Sequence, residues 1–198
     1  MTSILEVEQL DTLSSNASST LTIGGTNTSN VTFKSGVNFS GITQGITEAD
    51  MWRVTTSFAN AGNGTSELKS TNWERADTEF SKIGTGLTES SGIFTFPSTG
   101  IYLITAIASY YPGGANSGVE LQIRFSTGGS YNTRAIALSG AAGVDRPENI
   151  SCQTIFDVTN VSTHKFAIYT VGTTYSNFWR AASDRQMFGF TCLRLGDT

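Results

Sequence analysis

The chain has little charge. Of 198 residues, 12 are Lys or Arg and 16 are Asp or Glu, 14% together, where a soluble domain usually carries about a quarter. A net charge of −4 and the lack of any basic stripe argue against nucleic acid as a partner, because phosphate binding needs clustered Lys and Arg. No stretch approaches the ~20 apolar residues needed to cross a bilayer, so membrane insertion is not expected. The segment Met1–Glu8 has neither the basic start nor the apolar run of a secretory signal. Only two cysteines are present, too few for a disulfide scaffold in a chain of this length. Both Cys152 and Cys192 lie in apolar, strand-like runs and read as buried thiols. A single histidine, His164, leaves few ways to assemble a base, a nucleophile and an orienting group. Its setting, Thr163-His164-Lys165, reads as a surface turn. Zinc is not expected either, since these ligands have no close spacing.

Gly, Ser, Thr and Asn fill the space that charge leaves, without the Ala, Leu, Glu and Lys enrichment of helices. That mixture suits many short strands and tight turns. The most informative stretch is Gly92-Ile93-Phe94-Thr95-Phe96-Pro97-Ser98-Thr99-Gly100-Ile101-Tyr102-Leu103-Ile104. Pro97 cannot donate to a ladder and ends one strand. Gly100 supplies the turn. Ile101 to Tyr110 then reads as a long strand that is apolar on both faces, as expected where both faces are covered. Further strands are expected at Met51–Phe58, around Trp73, and at Gly92–Pro97, Val119–Phe125, Thr133–Leu138, Ile150–Val158, Lys165–Val171 and Gln186–Leu195. Nine strands with this spacing of turns describe an antiparallel sandwich.

Residues 1–48 differ from the remainder. Small polar runs (Ser14–Ser19, Gly24–Asn30) separate short alternating pieces, Leu21-Thr22-Ile23, Val31-Thr32-Phe33 and Val37-Asn38-Phe39. One copy cannot bury enough surface to offset its ordering entropy. The segment is either a disordered tail or an arm that orders against sister chains or a scaffold, and the recurring apolar pairs favour the arm. The expected division is therefore an extended arm at 1–48 and one all-β domain at 49–198.

The pattern Gly92-x-Phe94-x-x-Pro97-x-x-Gly100-x-Tyr102 resembles the central signature of the tumour necrosis factor and complement globular-head superfamily. Met187-Phe188-Gly189-Phe190-Thr191-Cys192-Leu193 is similar to the last strand of that fold, and Phe156-Asp157-Val158 with Lys165–Val171 fits the preceding hairpin. The resemblance implies a jelly roll that assembles as a homotrimer. Carried over residue by residue, it directs Tyr102, Ile104, Phe188 and Phe190 into the core. It turns Leu103, Thr105, Ile107, Met187, Thr191 and Leu193 toward sister chains. It also implies that the strands bearing Cys152 and Cys192 flank a common neighbour, so that the two do not pair.

A collagen stalk and a membrane anchor are missing from the pattern. The polar arm instead resembles attachment segments of fibre-like proteins on tailed bacteriophages, marine and cyanobacterial ones especially. This implies a structural protein on a virion surface, assembled in the host cytoplasm, a fibre knob or capsid decoration docked to other virion proteins through residues 1–48. The alternative is a secreted complement-like lectin that binds glycans. Seven Asn-x-Ser/Thr sites, at Asn16, Asn27, Asn30, Asn38, Asn63, Asn149 and Asn160, would be glycan acceptors in that case.

Loop aromatics are the candidate contact residues: Tyr110 and Tyr111, Tyr131, and the run Tyr175-Ser176-Asn177-Phe178-Trp179-Arg180. Trp, Tyr and Arg are the usual hot-spot types. These rings either meet a receptor or glycan or pack beneath their own loops. The carboxylates Glu48/Asp50, Glu74/Asp77/Glu79 and Asp145/Glu148 read as solvated loop charges, without the alternating pattern of a calcium loop. Neither catalytic residues nor a cofactor or metal are expected; the chain reads as a binding protein, not an enzyme.

Overall fold

The computed structural model describes residues 45–78, 80–115, 118–140 and 146–198. The expected arm at 1–48 lies outside the described residues except for its last four. Fourteen strands form among them, in chain order β1 (Ala49–Val54), β2 (Phe58–Ala59), β3 (Ser66–Leu68), β4 (Trp73–Arg75), β5 (Lys82–Ile83), β6 (Thr88–Ser90), β7 (Ile93–Thr95), β8 (Gly100–Tyr111), β9 (Gly118–Thr127), β10 (Asn132–Gly140), β11 (Glu148–Val158), β12 (His164–Gly172), β13 (Phe178–Arg180) and β14 (Phe188–Gly196). The nine expected strands all appear, the first of them broken into β1 and β2. The additions β3, β5, β6 and β13 are two or three residues long, too short to show a period in sequence.

All pairings are antiparallel. One sheet runs β2-β13-β8-β14-β1-β4, with β11 also on β8 and β5 on β1; the other runs β10-β9-β12-β7-β6, with β3 on β12. The two stack as a sandwich whose inner faces supply a single aromatic-rich core. Phe94 lies at its centre, with ring centroids at 5.4 Å from Trp52, 5.1 Å from Trp73, 5.2 Å from Phe166 and 4.6 Å from Phe190. Each fully buried ring of this kind contributes roughly 1.5–3 kcal/mol by area alone. Tyr102, Ile104, Phe188 and Phe190 are all in the core, where the resemblance directed them.

Strand β8 organises the first sheet. It pairs with β11 from Gly100↔Val158 to Tyr110↔Glu148, and on its other side with β14 and then β13. Its burial alternates strictly from Gly100 to Ala108, as the pleat requires. The turn before it explains the Pro97–Tyr102 pattern. The Tyr102 hydroxyl reaches back to the Ser98 carbonyl at 3.0 Å and lies 2.9 Å from the Ser98 hydroxyl. Gly100 sits at φ +143°, and a Cβ there would come within 2.6 Å of the Gly196 carbonyl. The glycine of the last-strand pattern has a different reason. A Cβ on Gly189 would stand 2.2 Å from the Trp52 carbonyl oxygen, so only glycine lets β14 lie this close to β1.

Strand β10 is an edge of the second sheet and carries a register shift between Thr133 and Ala135. Its alanines, Ala135 and Ala137, pack against the core, while Ile136 and Leu138 project outward.

Replacing Tyr102 by Phe should keep the ring in place and remove only the Ser98 contacts. A stability loss of about 1 kcal/mol is expected, read as a lower midpoint in urea unfolding with an unchanged slope.

Candidate functional site

Alternation on β8 delivers a second, outward set of side chains. Reading across the strands, Ile155 on β11 faces Leu103 on β8, Leu103 faces Leu193 on β14, Leu193 faces Ala49 on β1, and Ala49 faces Ile83 on β5. Five strands thus place one apolar row on the outward phase of the sheet, although Ala49, between Leu193 and Ile83, is itself buried. Ile155 is 61% exposed and Ile83 42% exposed. The next row is polar at its centre, Gln153–Thr105–Thr191–Met51, and the third runs Ser151–Ile107–Gly189–Arg53. Leu103, Thr105, Ile107, Thr191 and Leu193 therefore share one outer face, all of them half-buried. Met187 precedes β14 beside Ile107. Ile83 and Ile155 were not among the expected face residues. Ile155 was legible from the period of β11, whereas β5 has too few residues to show one.

Above the third row the same face opens into a cleft of about 480 Å³, lined by Ile107, Ser109, Asn149, Ser151, Arg180, Gln186 and Met187 among others. The segment that walls it is tied in place. Ser109 donates its backbone N–H to the Met187 carbonyl at 2.8 Å, Ala181 donates to the Ser57 hydroxyl at 2.9 Å, and the Gln186 amide donates to the Trp52 carbonyl at 3.3 Å. The Arg180 guanidinium lies 5.2 Å from the Tyr111 ring centroid, and its Nη1 is 3.5 Å from the Ser109 hydroxyl.

The loop aromatics divide. Phe178–Arg180 forms a strand, not a loop, paired with the end of β8. Its alternation buries Trp179 completely, and Tyr110 opposite it is buried as well. Trp179 stacks on Phe58 and meets Phe188 edge-on at 5.7 Å. Contrary to the sequence-based expectation, Tyr110 and Trp179 are core residues with no surface to offer a ligand. Tyr111, Phe178 and Arg180 occupy the opposite, outward phase of the same two strands. Phe178 is 48% and Tyr175 45% exposed. The loop that carries Tyr175 is held by hydrogen bonds from the Ser176 hydroxyl to the Asn60 carbonyl and from the Asn177 N–H to the Asn60 side chain. Tyr131 stands apart in the β9–β10 turn, at the far end of β9, a strand of roughly 30 Å.

The carboxylates are not all solvated. Asp50 is buried, accepts from Arg75 Nε at 2.9 Å and from Nη2 at 3.1 Å, and takes the Leu87 N–H at 2.7 Å. Glu48 accepts the Thr85 and Gly86 N–H groups. Glu74 and Asp77 both engage Arg53, itself buried. These acids fasten β1 to its neighbours, which accounts for their recurrence near β1 and β4. Glu79 and Asp145 lie outside the described residues. His164 begins β12 and is not in a turn; its ring lies 5.6 Å from Phe156, with Thr159 and Thr163 hydroxyls on its nitrogens. Cys152 and Cys192 are free thiols on β11 and β14, with β8 between them. Burial pushes the Cys152 thiol up to about 11 and raises that of Cys192 as well. No group of three or more His, Cys, Asp or Glu residues able to hold a metal ion occurs among the described residues.

No protein-family profile matches the chain, and neither does any curated protein. Solved structures do. Eiger TNF from S. frugiperda superposes with a TM-score of 0.56 at 12% identity, over 76% of this chain and 93% of that one. Murine APRIL at pH 5.0 superposes with a TM-score of 0.53 at 13% identity, over 75% of this chain and 99% of that one. Murine APRIL at pH 8.0 gives 0.52 at 12% identity, over the same 75% and 99%. The fold is thus the tumour necrosis factor-like jelly roll, shared with these proteins at a level of identity that speaks for fold alone.

Asp50→Ala should destabilise the domain by about 3 kcal/mol, because Arg75 and the Leu87 N–H lose their acceptor in a buried setting; thermal unfolding reads this directly. The folded protein should also resist thiol alkylation at pH 8. With its proton held to about pH 11, Cys152 carries roughly a hundredfold less thiolate than a thiol at the reference value of 9.0. Its rate should keep rising until that pH, as mass spectrometry of iodoacetamide-treated protein would show.

Proposed function

We propose that this protein is a non-enzymatic, self-assembling binding module: a homotrimeric knob or decoration on the surface of a tailed-phage virion. In this reading residues 1–48 attach it to other virion proteins and the jelly roll projects toward a host surface. The observation that carries the assembly is the five-strand apolar row Ile155–Leu103–Leu193–Ala49–Ile83 on the outside of a finished sandwich. A free sheet face in water normally presents polar residues.

A second apolar patch lies elsewhere, on the edge strand β10, where Leu138 is 70% and Ile136 45% exposed. Two different patches on one chain favour a head-to-tail contact over a self-complementary one, and such contacts build a ring when the rotation between copies closes. The family resemblance supports three as the ring size, and the Ser/Thr/Asn/Gly composition of residues 1–48 supports the virion setting. Three copies of one contact site on a common axis raise apparent affinity by effective concentration, without stronger individual contacts.

Sedimentation equilibrium should give three times the chain mass of 21.1 kDa. Leu103→Glu should reduce this to the single-chain mass while circular dichroism stays unchanged, because Leu103 projects away from the core. A wild-type monomer at micromolar concentration, or a Leu103→Glu trimer, would refute the assembly. The virion reading is checked by electron microscopy of purified particles labelled with antibody to the jelly roll: threefold knobs carrying label are expected, and unlabelled particles would refute it.

A further inference from the structure

We infer that the cleft above the apolar rows is a binding site for a carboxylate-bearing sugar, with Arg180 as its anion receptor. The inference rests on the reading above, that the jelly roll binds a host surface, and adds the chemical class of the ligand.

Four features of the cleft point to it. First, Arg180 has no carboxylate partner among the described residues; its neighbours are the Tyr111 ring and the Ser109 hydroxyl. The other arginines on the strands of this sheet, Arg53, Arg75 and Arg194, are each engaged by an acid. A guanidinium stacked against an aromatic ring keeps its fork available, and that planar fork matches a carboxylate in two parallel hydrogen bonds.

Second, the opposite wall is polar and unspent. The Asn149 amide and the Ser151 hydroxyl are exposed side chains on β11 that line the cleft and have no protein partner among the described residues. An amide and a hydroxyl supply both donors and acceptors, as sugar hydroxyls require. Third, Ile107 and Met187 line the same cleft and offer an apolar surface for the C–H face of a pyranose ring. Fourth, the cleft is held open by the hydrogen bonds already described from Ser109, Ala181 and Gln186, so a ligand meets a preformed site. A volume of about 480 Å³ accommodates one to two sugar rings.

On this reading Ile107 and Met187, expected at the sister-chain contact, face the ligand instead; the row proposed to hold copies together, Ile155–Leu103–Leu193–Ala49–Ile83, lies two rows away, and Arg180 lies on the far side of the cleft from it, toward Tyr111 and Phe178. A change at Arg180 therefore alters binding without touching the row that holds copies together.

The test is calorimetric titration of the full chain with trigalacturonate and with 3′-sialyllactose, compared with methyl-esterified trigalacturonate and with maltotriose. At least one acidic sugar should bind, and the neutral ones about tenfold more weakly or worse, as expected for loss of a charge-assisted pair. Arg180→Gln should weaken the acidic ligand about tenfold or more, with Arg180→Lys intermediate because it keeps the charge and loses the fork. Arg185→Gln should change nothing, since Arg185 is exposed and paired with Asp184. Equal binding of esterified and free acid, no binding of either acidic sugar, or an Arg180→Gln protein that binds as wild type would each overturn the site. Sedimentation of the same samples separates the two readings. A trimer indifferent to acidic sugars refutes the site alone, and a monomer that binds them through Arg180 refutes the assembly and supports the site.

Discussion

The two-sided burial of β8 is the constraint on which the rest of the molecule depends. Of its twelve residues, Gly100–Tyr110 pair with β11 on one side and Ile101–Tyr111 with β14 and β13 on the other. Even-numbered side chains from Tyr102 to Tyr110 fill the core, and odd-numbered ones from Ile101 to Tyr111 form the outer face. One turn sets this phase for the whole sheet. Tyr102 bonded back to Ser98, with Gly100 pressed against the end of β14, fixes which residue of the strand points inward. A slip of one residue would exchange the two sets completely. Through registered pairing the same phase passes to β11, β14 and β1, and so determines where the apolar rows and the cleft occur.

Much of this was legible in the chain. The Pro97–Tyr102 pattern located the turn, and the apolar run after it gave both the strand and its two covered faces. The inward assignment of Tyr102, Ile104, Phe188 and Phe190 followed from the resemblance and agrees with the core. Short strands were not legible: β13 has three residues, and Phe178-Trp179-Arg180 reads as a loop until pairing with β8 shows that Trp179 points inward. Asp50 misled for a related reason. A carboxylate near a turn looks solvated unless its partner is known, and Arg75 is 25 residues away in sequence.

The outer edge was illegible for another reason. On β10 the larger residues Ile136 and Leu138 face water while Ala135 and Ala137 face the core. Hydrophobicity alone assigns the opposite phase, and only pairing with β9 resolves it, Ala135↔Ile123 and Ala137↔Leu121. The cleft has a similar origin. Its residues come from β8, β11, β13 and the segment before β14, and no spacing in the sequence unites them.

The irregularity of β10 has a consequence for handling and assembly. A bare strand edge bearing Ile136 and Leu138 would invite backbone-to-backbone zipping with any passing strand. The shift between Thr133 and Ala135 interrupts the ladder at Arg134 and bends the strand there, but the six residues from Ala135 to Gly140, which carry both Ile136 and Leu138, stay in register with β9. Covering Ile136 and Leu138 in an assembly therefore also shields the regular edge they stand on, and the separated chain is the form in which that edge is open to mispairing.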